Sequence, residues 1–192
     1  SAFPVDPRLA RMIIEGSRRD CAKEMMVLAA ALTIQDPRER PAEVRGTADE
    51  MHARFTDDKS DFSSFLLLWQ YINERQAELS SSQLRKMCHR EFINFLRIRE
   101  WQDLFAQLRE MGRTANIRVS NGRDIDASGR EVEIHKSLLS GLLSHVGAKE
   151  EREKTYGKAP RGPREYLGAR GTKFAIFPGS GLFKQNPDWV LS

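Results

Sequence analysis

The sequence has few cysteines and no long apolar segment, and both absences narrow the class of protein. Only two cysteines, Cys21 and Cys88, occur among 192 residues, which excludes a scaffold held by several disulfides. Each lies in an apolar helical pattern, so we expect buried free thiols in a reducing cytoplasm. No run reaches the roughly 18 to 20 apolar residues of a membrane span, and the first residues lack a signal-peptide pattern. We therefore predict a cytoplasmic protein with no membrane segment.

The sequence also lacks the signatures of common catalytic and metal sites. It contains no GxxxxGK[ST] loop for nucleotide phosphates, and neither a CxxC nor an HExxH pattern for zinc. Its four histidines are scattered along the chain. Cys88 and His89 are neighbours, but neighbours on a helix point about 100° apart and cannot form a nucleophile–base pair. We therefore predict no catalytic residue and no metal site in these residues.

Positive charge is in excess only near the C-terminus. The chain carries 31 Lys and Arg against 27 Asp and Glu, a net charge of +4. Residues 148–184 hold nine basic and four acidic residues, a balance of +5, so the remainder comes to −1. Such a segment is typical of a module that contacts a polyanion, although a solubilising surface has the same composition.

Hydrophobic periodicity predicts helices through the first half of the chain. Asp6 followed by Pro7 is typical of a helix start. The helix after Asp20 is apolar almost all round, so other helices should surround it. The stretch DPRERPAEVRGTADE, residues 36–50, is polar and contains Pro and Gly, which predicts a connector, and a short helix is predicted at residues 48–55. Asp61 is the expected cap of the next amphipathic helix.

The longest predicted helix runs from Ser82 to Met111. Its apolar residues recur at helical spacing, and thirty residues at ~1.5 Å each would make a rod of about 45 Å. Trp101 and Phe95 lie on the apolar stripe, so we expect them in the core and not stacked on a ligand. The opposite face carries four arginines, namely Arg85, Arg90, Arg97 and Arg99.

The character of the sequence changes near the C-terminus. A helix is predicted over residues 131–146 and should end at Gly147, with loops before it and over residues 148–164. The segments REYLGA, TKFAIFP and GLFK are typical of short strands. The stretch TKFAIFPGSGLF has no nucleophile, metal cluster or phosphate loop beside it, so we expect this hairpin-like unit to bind and not to catalyse.

Five stretches carry a family resemblance. In order they are PVDPRLARMIIEG, MMVLAAALTIQDPRERP, ADEMHARFTDDKSDFSSFLLLW, MCHREFINFLRIREWQDLFAQL and EYLGARGTKFAIFPGSGLFKQNPDWV. Together they resemble the C-terminal accessory region of DEAH-box RNA helicases, most closely the bacterial HrpA-like branch. The resemblance covers nearly the full chain in the family's order. The loop over residues 148–164 departs from it, because it is longer than this family leads us to expect.

The resemblance implies a mostly α fold in two parts. Residues 1–130 would form a ratchet-like helical bundle, and residues 131–192 the N-terminal part of an oligonucleotide-binding (OB) fold. An OB fold is a five-stranded barrel, and too few residues follow Trp189 to close one. The family's motor, two RecA-like domains that bind ATP and Mg²⁺, and its winged helix are not encoded here. We expect a piece of a longer polypeptide, with no cofactor of its own.

The same resemblance implies a function. The chain would bind single-stranded RNA and cap the RNA channel of an ATP-dependent 3′–5′ helicase. Its expected partners are the RecA-like domains and a protein activator, and its expected state is a monomer. The alternative is a protein-interaction module or structural brace with no direct RNA contact. The candidate RNA contacts, each of which could instead be a solvated surface residue, are Asn94, Arg97, Arg99, Tyr166, Arg170, Lys173 and Lys184.

Overall fold

The computed structural model describes residues 5–56, 60–156, 165–167 and 173–175, with the backbone alone from residue 144 onward. Most of this part of the chain is helical, which confirms the mostly α prediction. Short 3₁₀ turns, Ala42–Val44 and Ala53–Phe55, flank α3. The helices are α1 (Pro7–Arg18), α2 (Ala22–Thr33), α3 (Arg45–His52), α4 (Asp61–Glu78), α5 (Ser81–Arg90), α6 (Phe95–Thr114) and α7 (Glu131–Tyr156).

The first two helices form where the sequence predicts them. Asp6 caps α1, because its carboxylate accepts the Arg8 amide at 2.9 Å. α1 ends at a left-handed residue, Asp20, with φ 59°. Gly16 allows α1 and α2 to touch, since a Cβ there would lie 2.5 Å from Cγ of Met25. The close approach of these two helices therefore depends on a residue without a side chain.

α2 is the centre of the bundle. Every residue from Ala22 to Ala31 is buried, as expected for a helix that is apolar almost all round. α1, α4, α6 and α7 all pack against it. Trp101 of α6 donates its indole N–H to the Val27 carbonyl at 2.9 Å, and its ring lies edge-on to Trp69, which in turn lies edge-on to Phe105. The prediction that Trp101 belongs to the core is confirmed.

α4 begins at a different cap from the predicted one. Ser60 is the N-cap, since its hydroxyl accepts the Phe62 amide at 3.1 Å. Asp61 lies in the first turn, where a carboxylate interacts favourably with the helix dipole. The prediction of Asp61 as the cap is wrong because two adjacent residues can both cap a helix, and the sequence does not rank them.

The predicted single helix over residues 82–111 is wrong, because two helices, α5 and α6, cover this range. Between them Phe92 adopts a left-handed backbone conformation, with φ 57°. Apolar residues on both sides of this break, such as Met87 and Ile98, join the same core. The periodic pattern therefore continues through the break and gives no sign of it.

The loop before α7 is held by side chains that bond its backbone. Trp69 donates its indole N–H to the Arg123 carbonyl at 2.6 Å. Glu24, which is buried on α2, accepts the Asp126 amide at 3.1 Å. Residues 115–130 are accordingly an ordered loop, as predicted, and two buried polar side chains obtain partners from it.

α7 extends beyond its predicted end. It continues through Gly147 to Tyr156, so the predicted stop at Gly147 and the predicted loop from residue 148 are wrong up to that point. The following KEEREK consists of strong helix formers, which outweigh one glycine. α7 packs on α1, where Glu133 pairs with Arg19 at 3.2 Å. The domain boundary at residue 130 stays a prediction.

Two short strands lie in segments that the sequence marks as β. β1 (Glu165–Leu167) pairs antiparallel with β2 (Lys173–Ala175), with Tyr166 opposite Phe174. The GLFK segment and the PGSG turn of the predicted hairpin lie outside the described residues. The OB fold therefore stays a prediction.

Candidate functional site

The candidate site is the break between α5 and α6, which is built from two helix caps. The Ile93 amide donates to the Cys88 carbonyl at 2.9 Å, and Phe92 occupies the left-handed position of this Schellman cap. Asn94 then caps α6, since its side-chain oxygen accepts the Arg97 amide at 3.1 Å. Glycine or asparagine usually fills the left-handed position, so the phenylalanine there must be held by its surroundings.

One support of the break is residues 36–39, which run alongside it. Arg38 and Ile93 form a single antiparallel bridge. The amides of Glu39 and Asn94 each donate, at 2.7 Å, to a carbonyl of the opposite segment. The Asn94 side chain also donates to the Glu39 carboxylate at 2.7 Å. Backbone groups that a continuous helix would have paired thus obtain other partners.

A second support is a buried polar network around Glu91. The Glu91 carboxylate accepts the Tyr71 hydroxyl at 2.8 Å and pairs with Arg54. His52 donates from Nε2 to the carbonyls of Glu91 and Phe92, at 3.0 and 3.1 Å. Burial lowers the pKa of His52, while burial and then the Glu91 carboxylate raise the pKa of Tyr71. A neutral histidine and a neutral tyrosine therefore hold the left-handed turn in place.

An open groove of about 460 Å³ lies beside the break. Its volume is within the ~300–1,000 Å³ that is usual for small-ligand sites. The guanidinium of Arg85 lies over the Phe95 ring, 5.0 Å from its centroid, and His89 and Glu39 also line the groove. Leu96, another lining residue, is 73% exposed. The groove thus combines aromatic and aliphatic surface with a cation and a carboxylate.

The two helices that form the groove carry cations without ion pairs. Five cationic side chains on α5 and α6 have no carboxylate within 4.0 Å in the part of the chain that the structure describes. One of the five, Arg97, donates a hydrogen bond to the Asp36 carbonyl at 3.0 Å. Unpaired cations attract a polyanion more strongly than cations that a neighbouring carboxylate neutralises. The five are Arg85, Lys86 and Arg90 on α5, and Arg97 and Arg99 on α6.

The structure brings three predicted contact residues together at this break. Arg99 is exposed and Arg97 is half-buried, so both can reach a ligand at the surface. Asn94 is half-buried, and both ends of its side-chain amide are bonded within the protein. The Asn94 side chain therefore connects Glu39 to the first turn of α6 beside the groove.

The other four predicted contacts belong to the C-terminal segment. Tyr166 and Lys173 lie on the strand pair, where Lys173 is opposite Leu167. Arg170 and Lys184 lie outside the described residues. Whether any of these four contacts a ligand stays a prediction.

The groove itself was not predicted. Arg85 belongs to the basic face that the sequence predicts, but Glu39 lies about fifty residues earlier in the chain, and no sequence pattern indicates that the two meet. Leu96 offered a signal, since it is a large apolar residue off the apolar stripe of its helix. Phe92 offered none, because it falls on that stripe.

The described residues form neither a metal site nor a reactive thiolate. Among them, no group of three or more His, Cys, Asp or Glu side chains is arranged to hold a metal ion. Both cysteines are buried free thiols, as predicted, and burial raises the pKa of Cys88 to about 11 and also raises that of Cys21. Such thiols are protonated at neutral pH. None of the described helices has the length and apolar character that a bilayer crossing requires.

Comparisons with known proteins match the chain to parts of much longer proteins. Residues 6–94 match the family described as helicase associated domain (HA2), ratchet-like. The whole chain is 47% identical over 191 residues to the ATP-dependent RNA helicase HrpA of Escherichia coli, of which it covers 14%. It is also 47% identical over 190 residues, 99% of the chain, to the HrpA homolog of Haemophilus influenzae, of which it covers 13%. The chain thus spans a small part of the length of these relatives.

Proposed function

We propose that this chain binds single-stranded RNA and caps the RNA channel of a helicase motor, because residues 6–94 match the helicase-associated (HA2), ratchet-like family. The resemblance seen in the sequence is confirmed, and the chain is an accessory region of an HrpA-type ATP-dependent RNA helicase. The motor, with its ATP and Mg²⁺, would lie outside these residues, which contain no phosphate-binding loop.

The observation that carries the proposal is the 47% identity over the whole chain to proteins named as RNA helicases. Because the 47% identity extends over 191 residues, we infer that the chain has the same role in its parent protein as the matching region has in those relatives. This identity supports the accessory role, and the cations of α5 and α6 support contact with RNA.

The unpaired cations of α5 and α6 support RNA contact. A protein that neutralises phosphates releases the counterions of the nucleic acid, which favours binding. Arg97 and Arg99 lie near the start of α6, and α6 is fixed to α2 through the buried Trp101. A rigid helix that presents cations is suited to guiding a strand that a motor moves past it. Contacts from the C-terminal segment, with its balance of +5, would add to this surface.

The second candidate function is a protein-docking or bracing module with no RNA contact. Exposed apolar side chains on α7 favour it, since Val132 is 63% and Leu143 is 50% exposed. A protein activator, a monomeric state and a cytoplasmic location remain predictions from the resemblance. RNA binding separates this candidate from the first.

The test is the affinity of this chain for fluorescein-labelled oligo(U), measured by anisotropy at several salt concentrations. Binding at low salt should weaken steeply as salt rises, with a slope of about −0.7 for each phosphate contacted. Replacing Arg97 and Arg99 by Ala should weaken binding at least several-fold and reduce the slope by about 1.4. Arg113→Ala, which removes an arginine paired with Glu110, is the matched control and should change little. An absence of binding at low salt would favour the docking or bracing role.

A further inference from the structure

We infer that the groove at the α5–α6 break holds one unstacked base of the bound strand. The inference depends on the proposed RNA binding and adds to it a subsite for a base, distinct from the phosphate contacts.

The chemistry of the groove suits a flat, partly apolar group. Arg85 already lies over the Phe95 ring, so a cation and an aromatic face are present in one stack. Bases of single strands stack on aromatic rings and on guanidinium planes in the same way. Leu96 is largely exposed beside this stack and would lose water contact when a base covers it.

The carboxylate in the groove favours a base over a phosphate. Glu39 would repel a phosphate, but its oxygens accept hydrogen bonds from the N–H groups that bases carry on their edges. Its orientation is fixed by the Asn94 side chain, which donates to Oε1 at 2.7 Å. Every base has at least one such N–H or amino group, so the subsite should tolerate all four.

Contacts within the protein hold the backbone of the groove in place. The bridge to residues 36–39 and the Glu91 network fix the left-handed turn at Phe92, which lines the groove. A preorganised site loses less conformational freedom on binding than one that must form. The polar network therefore has a functional consequence beyond stability.

The charge around the groove decides between RNA and a protein segment. Lys86, Arg90, Arg97 and Arg99 share the two helices of the groove and lack ion pairs in the described part of the chain. A repeating phosphate backbone can engage several of them at once while one base enters the groove. An apolar side chain of a protein would engage the groove alone.

The test compares two ligands of equal charge, an oligonucleotide and the same backbone without bases. The ratio of their dissociation constants isolates the contribution of the bases. For the unaltered chain we expect this ratio to be about tenfold or more. Leu96→Ala and Arg85→Ala should each bring the ratio closer to one. Leu96→Ala should leave the salt slope unchanged, because it removes no charge. Val132→Ala, an exposed apolar residue that does not line the groove, should preserve the ratio.

The outcomes separate this inference from the proposed function. If the chain binds RNA with a salt slope but Leu96→Ala leaves the ratio unchanged, the groove does not hold a base, whereas the proposed function stands. The same result is expected if the groove binds a protein segment. If the unaltered chain binds neither ligand, both proposals fail. The unfolding midpoint of each variant shows that the fold is retained, and for Leu96→Ala it should be unchanged because the residue is 73% exposed.

Discussion

The core around α2 and the break between α5 and α6 are held together by different interactions. Around α2, burial of apolar and aromatic side chains dominates, with Trp69, Trp101 and Phe105 packed edge to face. At the break, charged and polar groups of Glu91 and His52 bond backbone and side chains. Close packing fixes the core through the shapes of its side chains, while the hydrogen bonds of the break also require their partners at set distances and angles. The break is accordingly the part of the molecule that can define a precise ligand site.

The three left-handed residues that end helices show the same contrast. Asp20 and Asn116 end α1 and α6, and their short polar side chains tolerate this conformation. Phe92 ends α5 and does not belong to that class of residue. The first two ends are therefore encoded locally, while the end of α5 depends on residues far away in the sequence, such as His52.

The largest effect should come from the core. Trp101→Ala removes a fully buried ring and the bond to the Val27 carbonyl, so it should lower the free energy of unfolding by about 3–5 kcal/mol. Urea denaturation followed by circular dichroism measures the change. Val132→Ala is the control and should stay within about 0.5 kcal/mol, since its side chain is mostly exposed. If Trp101→Ala lowered the free energy of unfolding by less than Glu91→Ala does, the ranking of the two regions would be contradicted.

The next effect should come from the network at the break. Glu91→Ala leaves the Tyr71 hydroxyl and the half-exposed Arg54 without their carboxylate, which should cost about 1–3 kcal/mol. Glu91→Gln keeps an acceptor and should cost less. Hydrogen exchange should show faster exchange at residues 91–94 in Glu91→Ala, with the amides of α2 less affected. Uniform acceleration throughout the bundle would mean that the break is not a separate region.

Acid should destabilise the break through His52. Burial lowers the pKa of His52 in the folded state, so below about pH 6.5 the unfolded chain binds a proton that the folded chain does not. Above that pH, His52 makes its full contribution to stability. As the pH drops further, this contribution decreases by at most about 1.4 kcal/mol per pH unit. His52→Gln should remove this component from the pH profile of unfolding, whereas His89→Gln, at an exposed residue, is the control. An identical profile in His52→Gln and the unaltered chain would refute the assignment.

The smallest effect concerns the backbone at Phe92. Phe92→Gly and Phe92→Ala both remove the ring, but only alanine has a Cβ that opposes the left-handed conformation. Phe92→Gly should therefore be more stable than Phe92→Ala, by about 1 kcal/mol. At residue 106, inside α6, the native alanine should be more stable than Ala106→Gly, because glycine weakens a helix interior. A more stable Phe92→Ala would show that φ at this residue is not positive in solution.

The sequence predicts the core well because periodicity reports burial. The central position of α2 and the burial of Trp101 both follow from apolar residues at helical spacing. Helix ends were less predictable. Ser60 and Asp61 are equally good caps, and Gly147 continues a helix because the residues after it are strong helix formers.

The groove could not be predicted from the sequence for a physical reason. Its left-handed turn is stabilised by His52 and Glu39, which reach it from other elements, and long-range contacts leave no periodic pattern. The basic residues of α5 and α6 could be recognised, since charge is visible in the sequence, but only the structure shows that they lack ion pairs among the described residues. The Asn94 side chain caps α6 and bonds to Glu39, and its contact with RNA stays a prediction.

The most direct test of the central claim, that single-stranded RNA lies on the α5–α6 break, is photocrosslinking followed by mass spectrometry. RNA that contains 4-thiouridine would be bound to this chain at low salt and irradiated, and the attached peptides identified. The account predicts attachment within residues 85–99, reduced in Leu96→Ala and unchanged in Val132→Ala. Attachment confined to other segments, with none in residues 85–99, would contradict it.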